Sequence, residues 1–140
     1  DRSAVLRRVG ALIRERCDAI ATALTLDQGK PLREARAEVL SCAEHAEWHA
    51  EECRRIYGRV IPARLPNSRM EVFKFPVGPV AAFSPWNFPL VLSARKLGGA
   101  IAAGCSIVLK AAEEVQVGDT VWYQGDDGAM ASAPPPAGAR

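Results

Sequence analysis

Between Val80 and Lys110 the chain changes its hydrophobic period twice, and that change restricts what it can fold into. Val80-Ala81-Ala82-Phe83 is a short apolar run, cut by Ser84-Pro85-Trp86-Asn87-Phe88-Pro89. A nearly all-apolar segment follows from Leu90 to Ala103, stops at Gly104, and gives way to Ser106-Ile107-Val108-Leu109-Lys110. Two short apolar runs around a longer one, with Pro at its start and Gly at its end, predict strand, loop, buried helix, strand. The strands are apolar throughout, so they are expected to be parallel and buried on both faces. Gly98-Gly99 costs helix stability, which predicts close packing of this helix on the sheet. Ligands of such sheets bind beyond the carboxyl ends of the strands. Those ends are Ser84 to Phe88 and Lys110 to Glu113.

The preceding segments read as helices. From Arg2 to Leu24, Val5, Leu6, Val9, Leu12, Ile13, Ile20 and Leu24 recur at three- and four-residue steps, which predicts one amphipathic helix with a solvated Arg-rich face. Asp27-Gln28-Gly29-Lys30 breaks it. Pro31 then suits the first turn of a second helix. That helix is expected to run to Tyr57 and end at Gly58. Cys42, His45, His49 and Cys53 share its face and imitate a zinc set. At 1.5 Å rise per residue, Cys42 and Cys53 lie about 16 Å apart, too far for bonds of about 2.0–2.3 Å to one ion. Packing is the better reading.

Arg59-Val60-Ile61-Pro62 and Met70 to Phe75 are β-like, with Leu65-Pro66-Asn67-Ser68 as the turn, so Gly58 to Phe75 reads as a two-stranded ribbon. Residues 115–140 follow neither pattern. Their Gly/Ala/Pro-rich end reads as a disordered tail, with Val121-Trp122-Tyr123 as a weak strand candidate. The 140 residues suffice for one core, and a net charge of +2 argues for neither nucleic acid nor a membrane as partner. Leu90 to Ala103 is too short to span a bilayer and carries Arg95-Lys96. The 4 cysteines show no tight disulfide spacing, so a cytoplasmic, reduced setting is expected. The chain opens on Asp rather than Met, which reads as a fragment or processed product.

The loop carries the chemistry. Asn87 stands between two aromatic residues and two prolines. It is either a rigid N–H donor of the kind an oxyanion hole needs or a turn residue bonding its own backbone. The residues alone leave both open.

PWNFP, the apolar helix and AAGCSIVLKAAEE together resemble the aldehyde dehydrogenase superfamily, most nearly its succinate-semialdehyde members. Leu26 to Ala35 resembles the family's E-x-G-K-P-x-x-E-A region, and Phe75 to Val80 its passage into the cofactor domain. The resemblance covers Asp1 to Glu114. It implies an incomplete α/β fold: two N-terminal helices (1–57), an oligomerisation-type ribbon (58–75), the first βαβ unit of a Rossmann-like NAD(P)-binding domain (76–114) and an unrelated tail (115–140). It also implies that Asn87 is the oxyanion-hole amide and that Ser84, Pro85, Trp86 and Asn87 line the cofactor cleft. Lys110 and Glu113 would contact the adenosine ribose, with Glu113 favouring NAD over NADP. Arg95 would either hold a substrate carboxylate or simply occupy the polar side of its helix. The partners implied are a small aldehyde and, for a complete protein, further copies of itself; no metal is expected.

The sequence also departs from that family. Asp27 stands where Glu is usual, and Ala111 where Pro is usual. The family's nucleophilic Cys and general-base Glu have no counterpart up to Arg140, and Cys105 reads as a packing residue. The expectation is therefore part of an aldehyde-oxidising enzyme, inactive as this chain alone. A noncatalytic truncated or frameshifted remnant, or an interaction module, is the other reading.

Overall fold

The computed structural model describes residues 1–111, together with the backbone of Val121–Gln124 and Met130–Ala133. The first helix, α1 (Arg2–Glu15), begins at an N-cap where the Asp1 side chain accepts the Ser3 N–H at 3.1 Å. The continuous helix expected to Leu24 bends at Arg16 (φ −100°, ψ 14°) into α2 (Cys17–Gln28). Neither Pro nor Gly lies at the joint. The bend lets both segments lie on α3 (Leu32–Glu52): Leu6 meets Ala50, and Ala21 and Leu24 meet Ala35 and Val39. Val5 and Val9, assigned to the apolar stripe by spacing, are exposed. Gly10 seats α1 on α3, since a Cβ there would lie 3.2 Å from Glu47 Cγ and 3.3 Å from the Ala43 carbonyl.

The Arg-rich face is partly paired. Arg14 forks onto Glu47 through two 2.8 Å bonds, and Arg7 reaches Glu51 at 2.5 Å. Hydrogen bonding to Arg14 holds the Glu47 carboxyl below its usual range, and Glu47 raises the Arg14 guanidinium in turn. These pairs are exposed and set orientation more than stability.

Gly29, with φ 69°, ends α2 in the left-handed conformation and donates to the Thr25 carbonyl at 2.9 Å. Pro31 is the N-cap of α3 rather than a first-turn residue. The helix stops at Glu52, short of Tyr57, so Gly58 is not its terminator. Gly58 instead lies against the Val72 backbone, where a Cβ would strike the carbonyl. That contact closes the ribbon of β1 (Arg59–Ile61) and β2 (Met70–Val72), paired antiparallel from Arg59↔Val72 to Ile61↔Met70.

Next come β3 (Val80–Phe83), α4 (Pro89–Ala103) and β4 (Ile107–Lys110), with the strands parallel and in register from Val80↔Ile107 to Phe83↔Lys110. This is the expected βαβ unit of an α/β fold. Ala82, Ala100, Cys105 and Ile107 form the core between α4 and the sheet. The other face, with Phe83 and Val108, is exposed, so the strands are buried on one face and not on both. Among the described residues, α4 packs on the face that carries Ala82 and Ile107.

Gly98 also departs from expectation, because it meets α3 and not the sheet. A Cβ there would lie 2.5 Å from His49 Cδ2 and 3.2 Å from Cγ. His49 hydrogen-bonds the Arg95 backbone, yet desolvation lowers its pKa below the usual value, with His45 nearby adding to the shift. In the segment read as a disordered tail, β5 (Val121–Gln124) and β6 (Met130–Ala133) pair antiparallel. The remainder of 115–140 lies outside the described residues. Among the described residues, no helix is long and apolar enough to cross a membrane, and no group of three or more His, Cys, Asp or Glu side chains is placed to hold a metal.

The Gly98–His49 contact yields a sign test. Overpacking costs about 1–3 kcal/mol, whereas Gly→Ala in a helix gains about 1 kcal/mol. Gly98→Ala should therefore lower stability to urea in the native chain and raise it in a His49→Ala background. The same sign in both backgrounds contradicts the contact.

Candidate functional site

The loop 84–88 leaves β3 and enters α4 with its backbone held from two sides. The Ser84 N–H donates to the Lys110 carbonyl at 3.1 Å, tying the loop's start to the end of β4. From the other side, Gln28 Nε2 donates to the Trp86 carbonyl at 2.6 Å. Lys30 Nζ donates to the Asn87 carbonyl at 3.4 Å and lies 4.4 Å from the centre of the Phe88 ring, a cation–π distance. Gln28 and Lys30 flank Gly29, whose left-handed turn carries the chain from α2 to α3 beside the loop.

Glu38 completes the arrangement. It is 4% exposed, on the face of α3 shared by Ala35, Val39 and Cys42. Its Oε1 accepts from the Leu90 and Val91 N–H groups at 3.0 and 3.1 Å, and its Oε2 pairs with Lys30 Nζ. The first N–H groups of a helix have no partner within it, and the N-cap Phe88 supplies none. Glu38 therefore caps α4 from another helix. A carboxylate at a helix N-terminus is also favoured by the dipole.

Of the residues read from sequence, Asn87 is the clearest. Its carbonyl is bound by Lys30, while its side chain is exposed and makes no hydrogen bond among the described residues. The reading in which Asn87 bonds its own backbone is thus not what forms. Trp86 is exposed and Ser84 is buried with no partner for its Oγ. Ser84 and Lys110 sit side by side at the carboxyl ends of the parallel strands. Pro85 is exposed beside them. Arg95 is exposed on α4 and makes no ion pair among the described residues. Glu113 lies outside the described residues.

Sequence reasoning placed Gln28 and Lys30 in a family-like stretch without giving them a task, and it passed over Glu38. The signal for Glu38 was present: it is a charged residue at a core position of the helical period, between Ala35 and Val39.

A model of the aldehyde dehydrogenase family matches residues 1–123. The chain is 75% identical over 114 residues to the 4-(hydroxymethyl)benzenesulfonate dehydrogenase TsaD1 of Comamonas testosteroni, covering 81% of this chain and 24% of that protein. It is 49% identical over 114 residues, with the same coverage, to a glutarate-semialdehyde dehydrogenase of Pseudomonas putida. Among solved structures, an NADP-dependent enzyme of E. coli superposes with a TM-score of 0.80 at 46% identity, over 81% of this chain and 24% of that one. The chain thus spans about a quarter of the length of the relatives it matches.

The buried thiols stand apart from the loop. Cys105 is 3% exposed in the core under α4, five residues and about 16 Å of strand from Lys110. Desolvation, reinforced by Glu38, pushes the Cys42 thiol up to about 12, which keeps it protonated at pH 8. A disulfide reagent at pH 8 should modify Cys42 and Cys105 only as fast as the chain unfolds, with mass-mapped labelling accelerated by urea. Rapid native labelling of Cys42 contradicts its burial.

Proposed function

This chain belongs to the aldehyde dehydrogenase family, and from that premise we propose that it supplies the oxyanion amide and part of the cofactor face of an NAD(P)-dependent aldehyde oxidation. The observation that carries the reading is the Asn87 side chain, exposed and without a hydrogen-bond partner on a loop whose backbone carbonyls are fixed. With the backbone tied, only the side-chain rotation of Asn87 remains to be set for its amide to donate to negative charge developing on the aldehyde oxygen.

Ser84, Pro85, Trp86 and Lys110 are assigned to the cofactor, which takes up a hydride in this family's chemistry. The fit rests on their place at the carboxyl ends of β3 and β4 and on the unpartnered Ser84 Oγ. Glu113, three residues past Lys110, would oppose a 2′-phosphate and so supports NAD. The NADP dependence of the E. coli neighbour makes a direct comparison of the two cofactors the informative titration.

Arg95 is assigned to the substrate's far end, with succinate semialdehyde as the working example. Both relatives are named for a compound with an anionic group, a sulfonate in one and a carboxylate in the other, and a guanidinium fork suits either. The exposed Val60, Met70 and Phe73 of the ribbon region support a contact between copies of the protein. The nucleophile and the water-activating base come from outside these residues, so this chain alone turns over no aldehyde.

In a catalytically complete protein carrying this segment, Asn87→Ala should lower kcat about 10²–10³-fold. Unchanged kcat contradicts the assignment. In the chain itself, NAD⁺ should shift the NMR signals of Ser84, Trp86 and Lys110 together, at lower concentration than NADP⁺ does. Shifts confined to the ribbon overturn the cofactor reading.

A further inference from the structure

We propose that Glu38 is a positioning residue for Asn87, acting through Lys30 and through the first turn of α4; the inference rests on reading Asn87 as the oxyanion donor. Two links lead from one carboxylate to one loop. Oε1 takes the Leu90 and Val91 N–H groups and fixes where α4 begins. Oε2 holds Lys30, whose ammonium also donates to the Asn87 carbonyl and faces the Phe88 ring. The residue between Phe88 and the capped turn is Pro89, with its ring-fixed φ. Asn87 therefore has its own carbonyl and the start of the next helix tied to the same carboxylate.

The arrangement also excludes an alternative use of the helix terminus. An uncapped N-terminus at the carboxyl end of a strand is a ready site for a phosphate. Here Glu38 fills it, and a second anion would meet like charge at the same N–H groups. The α4 terminus is committed to holding the loop, and the diphosphate of a dinucleotide must bind elsewhere.

The test is NMR on the ¹⁵N-labelled chain, observing the Asn87 carboxamide, the Trp86 indole N–H and the Leu90 and Val91 amides. Glu38→Gln keeps an oxygen for the α4 amides but loses the charge that holds Lys30. Lys30→Met keeps the side-chain stem and loses the ammonium. Both should replace the single Asn87 and Trp86 signals with broadened or multiple ones and lower their heteronuclear NOE values, while Leu90 and Val91 keep their wild-type shifts. Glu38→Ala should disturb all four, and Lys30→Arg should restore the wild-type pattern. Signals from Leu6 and Val39 report whether each variant has kept its core.

Variants with an intact core and unaltered Asn87 and Trp86 signals overturn the proposal. So does a wild-type chain whose loop signals are already those of a random coil. Failure of Asn87 as an oxyanion donor would appear elsewhere, as unchanged kcat in Asn87→Ala, and would leave these signals as expected.

Discussion

A carboxylate buried in the middle of a helix bundle has to be compensated, and the fold is arranged around how Glu38 is. An unpaired charge there would be costly, and removing one partner of such a pair typically costs about 3–5 kcal/mol. Three donors compensate it: the Leu90 and Val91 amides and the Lys30 ammonium. Those donors come from α4 and from the turn after α2. The carboxylate therefore fixes where three helices sit relative to one another. Gly29 is needed so that the chain can reverse and deliver Lys30. Small residues, Gly10 on α1 and Gly98 on α4, let their helices close on α3.

The loop inherits this rigidity. Its polar backbone groups are spoken for on both sides, by Gln28 and Lys30 and by the β4 carbonyl that receives Ser84. Its side chains are left outside, with Trp86 64% and Phe88 50% exposed and Asn87 between them. Backbone fixed and side chains presented is the division of labour expected of a binding loop on a rigid scaffold. The thiols of Cys42 and Cys105, by contrast, are buried in the core.

The parts legible in the sequence were those set by local pattern. The apolar runs, Pro89 and Gly104 bounded β3, α4 and β4 correctly, because each boundary is written in the residue that makes it. What depended on a distant partner was not legible. Gly58 reads as a helix terminator in the sequence although its neighbour is the Val72 backbone, and Gly98 reads as a contact with the sheet although it meets His49, far away in sequence. The bend at Arg16 has no Gly or Pro to announce it. Burial on both faces of the strands was inferred from apolarity, yet the face bearing Phe83 and Val108 is exposed among the described residues. The loop between β3 and α4 could be read from PWNFP. Glu38 was visible only as a violation of the helical period, and its partners lie 52 and 53 residues away.

The fixed loop depends on the first turn of α4 being capped from α3. The Leu90 and Val91 amides have no acceptor within their own helix, so any protection they show must come from outside it. Amide hydrogen exchange measured residue by residue on the intact chain is the direct measurement. Slow exchange at Leu90 and Val91, comparable with the middle of α4, is the predicted result. Exchange at unprotected rates there, with the rest of α4 still protected, would contradict the Glu38 cap and with it the fixed loop.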